Sequence, residues 1–336
     1  MPKVLVTGSS GHLGHALMLK LPSYGYQPIG IDILPSQSTT IVGSIADRVF
    51  LAKLFEEHQD ITAVLHTATL HKPHIISHTN DEFVQTNVSG TLALLETAAS
   101  KPGARCQAFI FTSTTSTFGR ALAPRPGEPA AWIDESVVPV PKNIYGITKV
   151  AAEDLCELVH RQSGMPVVVL RTSRFFPEPD DADEVRAEWD DENLKVCELA
   201  YRRVDIADVV SAHVCALEKA GKGEVRWGRY VVSAPTPFVR CEELMRRLDG
   251  DAPAVMREVC PEYEEVFGRR GWRFLPRLDR VYDSSKAVRE LGWKPEWTFG
   301  RAVEAVARGE SWQSELTRQV GKKGYHEETT GVYTTR

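Results

Sequence analysis

The sequence predicts an α/β protein: a doubly wound parallel sheet with a smaller, mainly helical lobe toward the C-terminus. Three observations carry this expectation. Short continuous apolar runs alternate with segments whose apolar residues recur at helical spacing, the pattern of strands buried on both faces beneath amphipathic helices. The chain opens Lys3-Val-Leu-Val-Thr-Gly8-Ser-Ser-Gly11-His12-Leu13-Gly14, an apolar strand running into a glycine turn and then a helix. Far downstream stands Tyr145-Gly-Ile-Thr-Lys149, a tyrosine and a lysine one helical turn apart.

Each element follows from its local pattern. Val4–Val6 is a short apolar run, and Gly11 to Leu21 has helical spacing. Pro28–Ile33 reads as the second strand. Ala46–His58 is a helix by the spacing of Val49, Phe50, Ala52, Leu54 and Phe55. Ile61–Leu65 is a strand. Asp81–Ala99 is a helix whose apolar face is expected at Val84, Val88, Leu92, Leu95 and Ala99. Ala108–Phe111 is a strand, Tyr145–Arg161 a helix, and Val167–Leu170 a β-branched strand. Glu178–Asn193 is acidic with few apolar residues, so a solvated loop or lid is expected there. Regular structure resumes at Val204–His213, and Tyr230–Val232 is a strand. Residues 1–175, rejoined by 203–234, are expected to form the dinucleotide-binding domain. Residues 176–202 and 235–320 are expected to form the substrate lobe, with Trp272, Phe274, Trp293, Trp297 and Phe299 in its core. Residues 321–336 make a polar tail, and Lys322-Lys-Gly-Tyr325-His326 is expected to stay disordered or to fold back over the active site.

Composition narrows the function. At 336 residues the chain is long enough for a large core, and a formal charge of -5 gives no footing for nucleic acid or an anionic membrane surface. No apolar run reaches the length of about 20 residues that a membrane span needs. The strand starts at once, with no signal-peptide stretch before it. Six scattered cysteines without a C-x-x-C read as reduced thiols of a cytoplasmic protein. His66, His71, His74 and His78 cluster, but no cysteine or carboxylate stands among them, so no metal site is expected.

Gly8, Gly11 and Gly14 permit a tight turn and let the first amides of the helix, at His12 and Leu13, approach a pyrophosphate. Asp32 ends the second strand with Ile33 beside it. A carboxylate there accepts hydrogen bonds from ribose hydroxyls and repels a 2′-phosphate, so the cofactor is expected to be NAD, not NADP. A free phenol with a pKa of about 10 is a poor base at neutral pH. The ammonium of Lys149 and a positive nicotinamide favour its phenolate. Six hydroxyls follow the fourth main strand, in Thr112-Ser-Thr114-Thr115-Ser116-Thr. Some cap backbone groups, and at least one is expected to bind the reacting oxygen. His71, Lys72 and His74 follow the carboxyl end of the Ile61–Leu65 strand: either this is a plain loop, or His71, Lys72 or His74 contacts substrate or cofactor.

At these residues the chain resembles the extended short-chain dehydrogenase/reductase superfamily, in its NAD-dependent epimerase/dehydratase branch. The likeness spans roughly residues 3–300, through Thr7-Gly8-x-x-Gly11-x-x-Gly14, Asp32, Gly43-Ser-Ile45, His66-x-Ala68, Asn87-Val-x-Gly-Thr91, Tyr145-x-x-x-Lys149, Arg203-Val-Asp-Ile-Ala-Asp208 and Asp283-x-Ser-Lys286 to Leu-Gly-Trp293. It implies a Rossmann fold and a set of roles. Ser44 and Ile45 flank the adenine. Thr67, Ala68 and Thr69 line the adenosine ribose and pyrophosphate. Asn87 supports the cofactor from the long helix, Thr112 lies among its contacts, and Ser173 lies near the nicotinamide amide. Thr114 matches the catalytic Ser/Thr, with Tyr145 as base and Lys149 as its partner. The likeness also implies a homodimer, paired through the Asp81–Ala99 and Tyr145–Arg161 helices.

Two departures bear on the substrate. Where dehydratases of this branch place Asp or Glu just after the catalytic threonine, this chain has Thr115 and Ser116, which argues against dehydration. Arg174 replaces the asparagine that contacts a nucleotide-sugar phosphate. The expected function is an NAD-dependent epimerase of a sugar or nucleotide sugar, working by transient oxidation and re-reduction. The alternatives are an NAD-linked dehydrogenase or ketone reductase, and an NAD-sensing protein without turnover.

Overall fold

The computed structural model describes residues 1–100, 106–180 and 182–323. β1 (Lys3–Thr7) leads through the glycine turn into α1 (His12–Lys20), followed by β2 (Gln27–Asp32), the short β3 (Ile41–Val42), α2 (Arg48–Glu57) and β4 (Ile61–His66). α3 (Asn80–Phe83) continues through a π-helical stretch, Val84–Gly90, into α4 (Thr91–Ser100). Then come β5 (Ala108–Thr114), β6 (Ala131–Ile133), α5 (Ile144–Ser163), β7 (Val167–Thr172), α6 (Asp183–Glu188), α7 (Asp191–Leu199), α8 (Ile206–Gly221) and β8 (Trp227–Val232). The chain ends through α9 (Glu242–Gly250), α10 (Ala252–Val259), α11 (Glu262–Arg270), β9 (Arg280–Tyr282), α12 (Ser285–Leu291), α13 (Phe299–Ala307) and α14 (Glu315–Val320).

Seven strands form one parallel sheet in the order β3-β2-β1-β4-β5-β7-β8, while β6 and β9 pair separately. Successive side chains of a strand face opposite ways. Val4 and Val6 therefore join Leu13, Leu17, Val209 and Val210 of α1 and α8 on one face, and Leu5 joins Leu51, Leu54, Leu94 and Leu95 of α2 and α4 on the other. The strand order reverses between β1 and β4. Connections leave there in opposite directions and open a crevice at the carboxyl ends, where doubly wound sheets bind ligands. Capping fixes the helices that flank it: Asp47 accepts from the Val49 and Phe50 amides to start α2, and Asn143 accepts from the Gly146 amide to start α5.

Three expectations need correction. The apolar face proposed for Asp81–Ala99 holds in α4 and fails before it. Leu95 is buried and Leu92 and Ala99 pack against the core, but Val84 is exposed while Phe83 and Asn87 are buried. The π-helical stretch widens the coil, so a period of 3.6 does not carry through it. The acidic stretch after Glu178 is solvated, as expected, but is mainly helical: α6, which buries no residue, and the start of α7 occupy most of it, and among the described residues only its ends, Glu178 and Asn193, are buried. The third concerns the aromatics. Trp272, Phe274 and Phe299 pack with Phe267, Val255 and Met256 in a separate helical cluster. Trp293 instead lies in the sheet core beneath α8, where its indole N–H donates to the Asp208 carbonyl and the Ser211 hydroxyl, each at 3.0 Å.

The C-terminal end is fastened by one buried carboxylate. Asp205 caps α8 through the Ala207 amide (2.8 Å) and also accepts from the Ser314 amide, the Ser314 hydroxyl and the Thr317 hydroxyl. Replacing Asp205→Ala removes the cap and leaves buried donors unpaired, at a cost of about 3 kcal/mol. Urea denaturation should show a midpoint lowered accordingly. An unchanged midpoint means that Asp205 does not fasten α14.

Candidate active site

The carboxyl ends of β1, β2, β4, β5 and β7 open into one cavity of about 1000 Å³. Every site residue expected from the sequence lines it except Asn87. The turn between β1 and α1 shapes one end. Gly8 has φ +70°, and a Cβ on it would stand 2.7 Å from the Ala68 nitrogen. A Cβ on Gly14 would stand 2.0 Å from the Gly8 carbonyl oxygen. Glycine is thus demanded at both places by the protein's own backbone. Gly11 differs. Its φ of -70° suits any residue, and a Cβ would come no closer than 3.3 Å to the Gly8 oxygen. What a side chain at Gly11 would fill is the cavity itself, beside the first amides of α1. That is the fit a pyrophosphate requires.

Asp32 is held ready at the end of β2, with its carboxylate accepting from the Ser10 and Leu34 amides, both at 3.0 Å. A buried polar chain sets the loop after β4. Thr7 Oγ1 lies 2.7 Å from His66 Nδ1, and His66 Nε2 lies 2.9 Å from Thr91 Oγ1. Thr7 Oγ1 also receives the Thr67 and Ala68 amides. Burial, aided by the nearby Lys149, pushes His66 well below the ordinary imidazole range, so the ring is neutral. Asn87 works one step back from the cavity: it accepts from the Leu70 amide and the Thr69 hydroxyl and donates to Thr148. Asn87 thus braces the loop after β4, which itself lines the cavity.

At the β5–β7 side, Thr114 and Tyr145 are hydrogen-bonded through their hydroxyls, and Lys149 lies one turn along α5. All three are buried. The Lys149 ammonium sits 4.2 Å from the centre of the Phe111 ring. Burial pushes the Tyr145 phenol up to about 12, with the Thr114 bond opposing part of the rise. Burial pushes Lys149 down to about 7, against the pull of Glu153 and Cys156. Without a ligand, desolvation outweighs any lowering of the phenol; the expected lowering called for a positive nicotinamide as well as Lys149. Ser173, after β7, is buried on the cavity wall, and its hydroxyl has no partner among the described residues. An orphaned hydroxyl there fits a polar group of a bound cofactor.

His71, Lys72, His74, Thr115 and Arg174 also line the cavity. The His71 amide donates to His74 Nδ1 (3.0 Å), and the His71 ring stacks on Phe176. Arg174 pairs with Asp180 at 2.5 Å. Thr112 lies inside β5 with its hydroxyl 2.8 Å from His213 Nε2. Sequence reasoning missed Lys142, Glu178, Arg202 and Arg280, which share the cavity, while Lys323 of the tail folds back to it, one of the two outcomes expected there. They come from distant stretches with no common motif. Behind them Glu198 is fully buried. Burial alone would raise it, but Arg202, Arg203 and Arg174 hold it at about 2.

This fold, with a glycine turn at one end of the cleft and a Thr–Tyr–Lys set at the other, defines an extended short-chain dehydrogenase/reductase. The model of the NAD dependent epimerase/dehydratase family matches residues 4–232, and the chain belongs to that family. It is accordingly an NAD-dependent enzyme. A UDP-glucose 4-epimerase of Rhizobium leguminosarum is 32% identical, over 90% of this chain and 95% of that one. A dTDP-glucose 4,6-dehydratase of Xanthomonas campestris is 28% identical over 95% of each. Among solved structures, a short-chain dehydrogenase/reductase superfamily protein of Agrobacterium tumefaciens with bound NAD superposes with a TM-score of 0.64. It is 22% identical, with 94% of this chain and 97% of that chain covered, and shows the shared fold.

Lys149 loses its proton at about 7 in the folded protein against the ordinary 10.5. Between those values the unfolded chain binds the extra proton, so this group makes stability rise with pH across that window. Melting temperatures taken from pH 7 upward should climb less steeply in Lys149→Met than in the parent. Equal slopes mean that Lys149 is not held in its neutral form.

Proposed function

We propose that the chain is an NAD-dependent epimerase that inverts a secondary hydroxyl of a nucleotide sugar by oxidation and re-reduction at one carbon. The observation that carries this reading is the buried Thr114–Tyr145 hydroxyl pair followed by Thr115 and Ser116. Dehydration needs an acid and a base beside the oxidised carbon. The carboxylates among the described cavity residues are Asp32, Glu178 and Asp279, and none adjoins Thr114 in the chain. Hydroxyls there orient the sugar without removing water from it.

Bound NAD supplies the hydride acceptor and a positive charge that favours the phenolate. The glycine turn and the α1 amides hold its pyrophosphate, Asp32 its adenosine ribose and Ser173 its nicotinamide amide. Tyr145 takes the proton of the substrate hydroxyl at Oη as the carbon becomes a ketone, and returns it as the carbon is reduced. Thr114 donates to the same oxygen and fixes its direction. Lys149, one helical turn away, favours the Tyr145 phenolate when protonated. Lys142, Arg174, Arg202 and Arg280 give the cavity the cations that suit a diphosphate. The curated relatives named for UDP-glucose and dTDP-glucose support that substrate class.

The reading extends to a cytoplasmic homodimer. No disulfide joins the cysteines among the described residues, and no helix among them is long and apolar enough to cross a membrane. Val84 precedes α4, and Ile147 and Leu158 lie on α5; all three expose apolar side chains that a second copy can cover.

Incubation with UDP-glucose or UDP-galactose and no added NAD tests the reading. Interconversion without NADH release supports epimerisation, whereas stoichiometric consumption of NAD points to the dehydrogenase. Tyr145→Phe should lower kcat by about 10²–10⁴-fold while leaving KM within a few-fold. Undiminished turnover in that variant removes Tyr145 from the chemistry.

A further inference from the structure

Three segments far apart in the sequence meet beside the glycine turn. Glu178 follows β7, Lys323 follows α14, and His12 and His15 belong to α1. One Glu178 oxygen accepts from His12 Nε2 and from the Lys323 amide, both at 2.9 Å. The Lys323 ammonium lies 2.7 Å from His15 Nδ1. Phe176 completes the contact, with its ring centre 5.2 Å from that of His12 and 5.5 Å from that of His71, across the cleft. His12, His71, Phe176, Glu178 and Lys323 all line the cavity.

We propose that Phe176–Glu178 and the returning chain at Gly321–Lys323 form a clasp across the phosphate end of the cleft and set how fast NAD leaves. This rests on the cofactor placement given above. The backbone under the clasp is fixed. Lys195 donates to the Pro177 carbonyl (2.7 Å) and Arg203 to the Phe176 carbonyl (3.0 Å). Asp205 fastens the start of α14 through Ser314 and Thr317. Beyond α14 the chain turns at Gly321, whose φ of +63° and ψ of -168° suit glycine alone, and this turn carries Lys323 back to α1.

The chemistry of the contacts distinguishes a clasp from a weld. Apolar contacts here would stay closed, because parting them exposes oil to water. Apart from the Phe176 ring, the contacts present are charged and polar, and each of those partners regains water when they part. Glu178 also keeps its second oxygen buried without a donor among the described residues. A group so placed is relieved, not exposed to new cost, when the clasp opens. Closed, the clasp walls in an anion already held by the α1 amides. Open, it leaves them to solvent.

Release of etheno-NAD from the loaded protein into excess NAD, followed by fluorescence, tests the clasp. Glu178→Ala and a chain ending at Gly321 should each release it at least about tenfold faster than the parent. Lys323→Ala keeps the amide and should show a smaller gain. If Glu178→Ala does not fold, the other two variants still decide. Equal release rates throughout overturn the clasp. So does faster release that merely tracks a fall in the ligand-free melting temperature. A parent protein that takes up no etheno-NAD overturns the cofactor placement instead.

Discussion

The site depends on one backbone contact. Gly14, on the first turn of α1, lies so close to the Gly8 carbonyl that an added Cβ would meet it at 2.0 Å. This approach sets where the helix begins, and hence where its unpaired amides point. Gly8 in turn lies against Ala68, which ties the turn to the loop after β4. From these two contacts follow the position of Asp32, bonded to the Ser10 amide, and the width left at Gly11 for a ligand. A side chain at either place would part helix from strand, and no adjustment elsewhere would restore the cleft.

The remaining chemistry is arranged by desolvation. Burial alone moves the Tyr145 phenol and the Lys149 ammonium toward their uncharged forms, raising one and lowering the other. The pair is then sensitive to any charge that enters the cavity, because both groups are buried where charges are weakly screened. Glu198 shows the opposite solution. It is as deeply buried but stays ionised, since three arginines surround it. The cavity therefore holds a responsive pair, and a fixed ionic cluster lies behind its wall.

Much of this was legible in the sequence. The parallel sheet followed from continuous apolar strands such as Val167–Leu170, and the cofactor end from three glycines after a strand. Tyr145 and Lys149 were legible because a helix fixes the geometry of residues four apart. What stayed hidden depends on tertiary placement. The acidic composition around Glu178 reads as solvated, yet Glu178 is buried by partners from α1 and the C-terminus. Arg280 reaches the cavity only because β9 pairs with β6. Trp293 looked like its neighbouring aromatics until its indole found Asp208. Tyr325 and His326 of the tail lie outside the described residues.

The π-helical stretch Val84–Gly90 has its own consequence. A wider coil there shifts the winding between α3 and α4, and Asn87 uses the shift to reach Leu70. Shortening that coil by a single residue would restore ordinary pitch, yet it would rotate the amide away from the loop it braces. This span therefore has a fixed length as well as a fixed composition: a lost residue does more harm here than most exchanged ones.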